Sequence, residues 1–141
     1  MPNNVPNAQT ALFPVVAAAL IDTHGRVLVQ QRPPGNQMAG LWEFPGGKVE
    51  PGETPEAGLV RELAEELGIT VAAEDLLPAT FASEPLGSKH LLLLLYLCRS
   101  WTGEPEALDA IALQWVTPAE MRALPMPPAD APFIETLQRM I

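Results

Sequence analysis

Cysteine is almost missing from this chain. Cys98 stands alone, so no intrachain disulfide can form. That suits a reducing compartment, and the expected location is the cytoplasm. Positive charge is scarce too: eight Lys and Arg face seventeen Asp and Glu, for a net charge of −9. Nonspecific binding to duplex DNA is led by cationic contacts to phosphate, so this balance argues against stable nucleic-acid binding. No apolar run is long enough for a membrane. Leu91–Cys98 falls well short of the roughly 20 residues that a spanning helix needs. It lies mid-chain, and no segment reads as a targeting signal. Repeats, low-complexity tracts and a second domain are also lacking.

What is present is 141 residues, 48% hydrophobic and 18% charged. That is enough for one domain with a real core. Residues 1–10 are polar, with Pro2 and Pro6, and read as a loose tail before a single domain over 11–141. Residues 13–22 read as a strand. A turn at Thr23–Gly25 precedes a second strand over Arg26–Arg32. Pro33–Ala39 is a loop, and Trp42–Phe44 a short extended piece before the glycine turn Pro45-Gly46-Gly47. Strands are expected over 70–82, 89–99 and 111–116. A short helix is expected from Pro118, and a last one from Asp130 or Ala131 to the end. Cys98 reads as a buried strand residue. Strands alternating with two or three helices imply a mixed sheet flanked by helices.

The stretch GKVEPGETPEAGLVRELAEELGI, Gly47 to Ile69, carries the most information. Thr54 is a good N-cap and Pro55 fits the first turn. Gly68 is the expected stop. A helix over about 55–67 therefore has both ends marked. Leu59, Val60, Leu63, Ala64 and Leu67 recur at helical spacing and give it an apolar stripe. Glu62, Glu65 and Glu66 project from one side, three or four residues apart. Three like charges on one turn repel unless a cation sits between them. Hard carboxylate oxygens at this density suit Mg²⁺ or Mn²⁺, bound together with substrate phosphates. Arg61 and Glu53 can pair and hold the loop against the helix. Alone, an acidic triplet reads as a solvated helix face. The preceding glycines, which let backbone approach a ligand closely, shift the reading to a metal–phosphate site.

This segment resembles the Nudix box, the signature of the Nudix hydrolases, at every specified position. The wider run Leu41–Glu50 and the segment Pro127–Pro132 are similar to the MutT branch of that family. The resemblance implies an α/β/α sandwich with a mixed sheet, in the α/β class. It implies an enzyme that hydrolyses a nucleoside triphosphate to the monophosphate and pyrophosphate, with a divalent cation. As metal ligands it implies Glu62, Glu65, Glu66 and the carbonyl of Gly46, with Asp109 where the family has a further glutamate. Aspartate is one methylene shorter there. Any of these carboxylates could take the proton of the attacking water. Glu53 and Arg61 complete the catalytic set. Arg32 falls where the branch contacts nucleotide, and Glu43, Phe44, Gly47 and Lys48 join the expected substrate contacts. Lys48 would meet phosphate as a point charge. The protein is expected as a monomer or homodimer.

Asp130 departs from the pattern. MutT enzymes that recognise 8-oxoguanine carry Asn here, whose amide both donates and accepts. An ionised Asp only accepts. A protonated Asp restores the donor but needs a desolvated pocket. An ionised Asp would instead suit the exocyclic amine of cytosine, and a plain helix N-cap is a further reading. The leading expectation is hydrolysis of 8-oxo-dGTP. The alternatives are a CTP- or dCTP-type pyrophosphohydrolase and, more remotely, a noncatalytic MutT-like recognition domain.

Overall fold

The computed structural model describes residues 11–35 and 37–141, so the expected tail over 1–10 lies outside the described residues. Strand β1 (Ala11–Leu20) sets the plan. It is apolar on both faces, as a strand covered on two sides must be. Val16, Ala18 and Leu20 enter one core, while Ala17, Ala19 and the following Ile21 enter another. The strands β2 (Val27–Gln31) and β6 (Lys89–Cys98) split in the same way.

Two sheets result. The first has the order β4-β1-β6-β5, with β4 at Gly46–Lys48 and β5 at Leu77–Leu86. It is mixed, because β1 and β6 run parallel from Ala11↔Lys89 to Leu20↔Cys98 while the other pairs are antiparallel. The second is antiparallel, in the order β3-β2-β7, with β3 at Trp42–Glu43 and β7 at Ala112–Val116.

Helix α1 (Pro55–Leu67) covers one side. Its Leu59, Leu63 and Leu67 are fully buried beside Leu20, Leu28 and Ile69. Burying each such leucine contributes about 1.5–3 kcal/mol. On the other side α2 (Pro118–Met121) and α3 (Phe133–Met140) bring Met121, Phe133, Ile134 and Leu137 onto Val27, Val29 and Leu95. The layers are helix, sheet and helix, the α/β/α sandwich expected.

Several boundaries differ from the sequence reading. The strand expected over 70–82 begins at Leu77. Thr70 only bridges Thr102, and residues 73–75 form a 3-10 turn. The glycine turn is itself a strand, because Gly46–Lys48 pairs with Ala17–Val15. Ala64 is exposed, so the apolar stripe of α1 narrows to Leu59, Leu63 and Leu67, with Val60 partly buried against the same core. The last helix starts at Phe133, after a turn containing Asp130, with Pro132 at its N-cap. Asp130 therefore does not cap it.

Candidate active site

The local sequence places α1 firmly. The Thr54 side chain accepts from the Ala57 N–H at 3.1 Å, and Gly68, with φ 71°, closes the other end by donating to the Ala64 carbonyl. Arg61 ties the preceding loop to the helix. Its Nε and Nη2 donate to the two Glu53 oxygens at 2.7 and 3.0 Å, and Nη2 also reaches the Lys48 carbonyl at 3.1 Å. Glu53 in turn accepts from the Glu50 N–H at 2.8 Å. These hydrogen bonds, led by those from Arg61, hold the Glu53 carboxyl at about 2. Glu53 and Arg61 thus form a brace that fixes the glycine strand against α1.

Inside this brace lie the helix carboxylates. Arg61 Nη1 is 3.4 Å from both Glu62 and Glu65. The Glu65 side chain is 60% exposed and that of Glu62 only 14%. Glu66 Oε1 accepts from Gln30 Nε2 at 2.9 Å and from the Gly46 N–H at 3.3 Å. Burial pushes Glu66 up to about 8, and a side-chain hydrogen bond with Glu62 and that group's charge add to the rise. A cation between two such carboxylates would relieve this. Among the described residues, however, no three acidic or His/Cys side chains are yet gathered into a metal cage. Arg61 draws on Glu62 and Glu65, while Gln30 and Gly46 hold Glu66. The donor set is all hard oxygen and negatively charged, and this chemistry fits a divalent cation such as Mg²⁺.

The glycines make the approach possible. A Cβ on Gly47 would overlap the Glu62 carboxylate, and one on Gly46, at φ 153°, would fall on the Val16 carbonyl and within 2.8 Å of the Ala17 Cα. The Gly46 N–H points away from β1 toward Glu66. In an antiparallel ladder the carbonyl of the same residue lies on that side as well, so it faces the open edge of β4.

Beside the carboxylates opens a cavity of about 380 Å³, lined in part by Arg32, Glu43, Phe44, Gly46, Gly47 and Asp130. That is within the range of small-ligand sites. Arg32 donates to Glu43 Oε1 from Nε at 2.9 Å, its Nη2 is 2.8 Å from the same oxygen, and Nη1 reaches the Gln37 carbonyl at 3.1 Å. Burial raises Glu43, with Asp109 adding and Arg32 opposing. Phe44 is buried, its ring 6.0 Å from that of Phe133, and its N–H points at Asp130 Oδ2 at 3.4 Å. Asp130 is 7% exposed. Burial first, then the Glu43 charge, pushes it up to about 7.

Two expected residues stand at the margin of the cavity, for the Phe13 ring beside Lys48 and the Glu43 carboxyl that feels Asp109 both line it. Lys48 holds its ammonium 5.6 Å from the Phe13 ring centre. Asp109 lies on an exposed loop, where its charge acts on Glu43. That loop is moored to the end of α1, with the Glu106 and Leu108 N–H groups donating to the Leu67 and Glu66 carbonyls. The sequence reading missed Gln30. Its signal is faint: a polar residue on the face of β2 that Leu28 commits to the core.

A braced loop, a carboxylate helix and a nucleotide-sized cavity are the parts of one kind of enzyme, and the comparison with known proteins agrees. The model of the NUDIX domain matches residues 11–137. The chain belongs to the Nudix family and is a MutT-like Nudix hydrolase. Such enzymes act on nucleotide substrates and generally use divalent cations. The chain is 39% identical over 125 residues to the CTP pyrophosphohydrolase of Escherichia coli strain K12, covering 89% of this chain and 91% of that one. It is 35% identical over 126 residues to the 8-oxo-dGTP diphosphatase of the same strain, covering 89% and 96%. In structure it is similar to the Escherichia coli ORF135 protein. The TM-score is 0.82 at 36% identity, covering 93% of this chain and 91% of that one. No helix among the described residues is long and apolar enough to cross a membrane.

Proposed function

We propose that the protein hydrolyses 8-oxo-dGTP to 8-oxo-dGMP and pyrophosphate, clearing oxidised guanine nucleotides from the cytoplasmic pool. The observation that carries this reading is Asp130, buried on the cavity wall beside Glu43, where burial pushes its pKa up to about 7. The Phe44 N–H engages Oδ2 as an acceptor. That leaves Oδ1 to carry the proton. A protonated Asp130 then offers one acceptor and one donor side by side, as an Asn amide would. Those are the partners that N7–H and O6 of an 8-oxopurine require. Arg32, held flat by Glu43 and the Gln37 carbonyl, supports the nucleotide across the cavity.

Glu62, Glu65, Glu66 and the Gly46 carbonyl would hold Mg²⁺, or Mn²⁺ in its place, with Asp109 reaching in from its loop. The cation supplies neutralisation of phosphate charge and makes water more acidic. Arg61 and Glu53 keep the glycine strand and the helix at fixed spacing, so phosphate can enter without the backbone moving. Glu62, Glu65, Glu66 and Asp109 are the carboxylates placed to take the proton of the attacking water.

A second reading has its own support. An acid that titrates near 7 is partly ionised at neutral pH, and an ionised Asp130 would accept from the exocyclic amine of cytosine. A relative named CTP pyrophosphohydrolase matches most of the chain. One experiment separates the two. Mg²⁺-dependent pyrophosphate release is measured for 8-oxo-dGTP, dGTP and CTP from about pH 6 to about pH 8, on the wild type and Asp130→Asn. The oxidised-guanine reading expects the preference for 8-oxo-dGTP over dGTP to decline as pH rises through about 7, and to be flat in Asp130→Asn. A kcat/KM for CTP that exceeds that for 8-oxo-dGTP and climbs over the same range would replace it with the cytosine reading.

A further inference from the structure

Gln30 sits where packing alone calls for an apolar side chain. It lies on β2, on the face that Leu28 presents to α1. It is 5% exposed. Its Oε1 is buried with no hydrogen-bond partner among the described residues. An unmatched buried amide oxygen destabilises a fold, and a methionine of similar size would carry no such penalty. Among the described residues, the amide's one hydrogen bond is from Nε2 to Glu66 Oε1 at 2.9 Å.

The Gly46 N–H converges on that same oxygen at 3.3 Å. Two donors on one carboxylate oxygen fix the rotation of the group and leave Oε2 unclaimed by either. The donors come from different sheets, Gln30 from β2 and Gly46 from β4. Glu66 is therefore held in register with both sheets at once, although it stands on a helix belonging to neither. Partners that orient a ligating carboxylate without touching the metal set its affinity.

We propose that Gln30 is a positioning residue for Glu66. With the Gly46 N–H it pins Oε1, so that Oε2 is the oxygen presented to a divalent cation. This rests on reading Glu66 as a metal ligand.

The test is a Mn²⁺ titration of the full chain, followed by electron paramagnetic resonance, on the wild type, Gln30→Met, Glu66→Gln and the double variant. Thermal stability is recorded in chelator alongside. Gln30→Met is expected to weaken Mn²⁺ binding on the order of 10-fold, with chelated stability unchanged or raised because the orphaned oxygen is gone. It should lower kcat while leaving KM for nucleotide near the wild-type value. Glu66→Gln should weaken Mn²⁺ binding more, and the double variant should bind as Glu66→Gln does. If Gln30→Met folds poorly, Gln30→Asn serves, because it keeps the amide but falls one methylene short, and the same loss is expected. Wild-type Mn²⁺ affinity in these Gln30 variants, with Glu66→Gln still impaired, overturns the positioning role alone. Wild-type affinity in Glu66→Gln overturns the metal-ligand reading beneath it.

Discussion

At the scale of single residues, the two adjacent glycines have different jobs, and substitution should separate them. A methyl on Gly46 meets the backbone of Val16 and Ala17, which cannot yield without unpairing β1 from β4. Gly46→Ala is expected to lower stability by about 1–3 kcal/mol or more, measured by urea unfolding. A methyl on Gly47 first meets the tip of the Glu62 side chain, which can swing away. Gly47→Ala should keep its stability and lose activity on the order of 100-fold, because Glu62 is displaced from Glu66. Equal stability losses in the two variants would contradict this division. The glycines and glutamates were legible from the sequence because their spacing is local. Gln30 was not, since its partner Glu66 is brought to it only by packing between β2 and α1. The state of Asp130 was legible as a question. Its answer depends on burial and on Glu43, which come from a distant part of the chain.

At the scale of elements, α1 is the part whose ends the sequence states outright. Thr54→Ala should cost about 1 kcal/mol by removing the Ala57 N–H acceptor, read by thermal or urea unfolding. The brace in front of it depends on the forked geometry of Arg61. Arg61→Lys keeps the charge but cannot span both Glu53 oxygens and the Lys48 carbonyl. The expected result is a fall in kcat on the order of 10-fold with the fold intact, checked by steady-state kinetics beside circular dichroism. The strands were less legible than this helix. β4 carries two glycines in three residues, a composition that reads as a turn, and only pairing with β1 makes it a strand. β5 was placed too early, because Ile69 and Val71 pack under α1 before the chain turns into the sheet.

At the scale of the whole molecule, net charge and the two perturbed acids together set the response to pH. Glu66 and Asp130 hold their protons more tightly folded than unfolded, titrating at about 8 and about 7 against ordinary values of 4.5 and 3.8. Their contribution is complete at the lower values and is lost as pH rises through the upper ones. In chelator, the melting temperature should therefore fall between about pH 5 and about pH 8, and saturating Mg²⁺ should restore much of it at the upper end. Glu53 acts oppositely. Its stabilising pair with Arg61 is lost only as pH falls from the ordinary 4.5 toward about 2. A melting temperature that climbs steadily from pH 5 to pH 8 without metal would contradict the assignment. A mixed sheet flanked by helices was legible from element order, and the resemblance to the Nudix family sharpened it to the α/β/α sandwich, whereas the pairing of β1 with β6 was not legible, since no local signal marks it. That pairing has a temporal consequence. Residues 11–20 lie alongside residues 89–98, so a nascent chain carries its first strand unpaired on that side until the sixth has been synthesised. Contacts of such long sequence separation slow the search for the native state, and a growing chain with unpaired apolar strands is open to aggregation. The catalytic helix emerges early on the ribosome, yet the sheet it must lie against closes late.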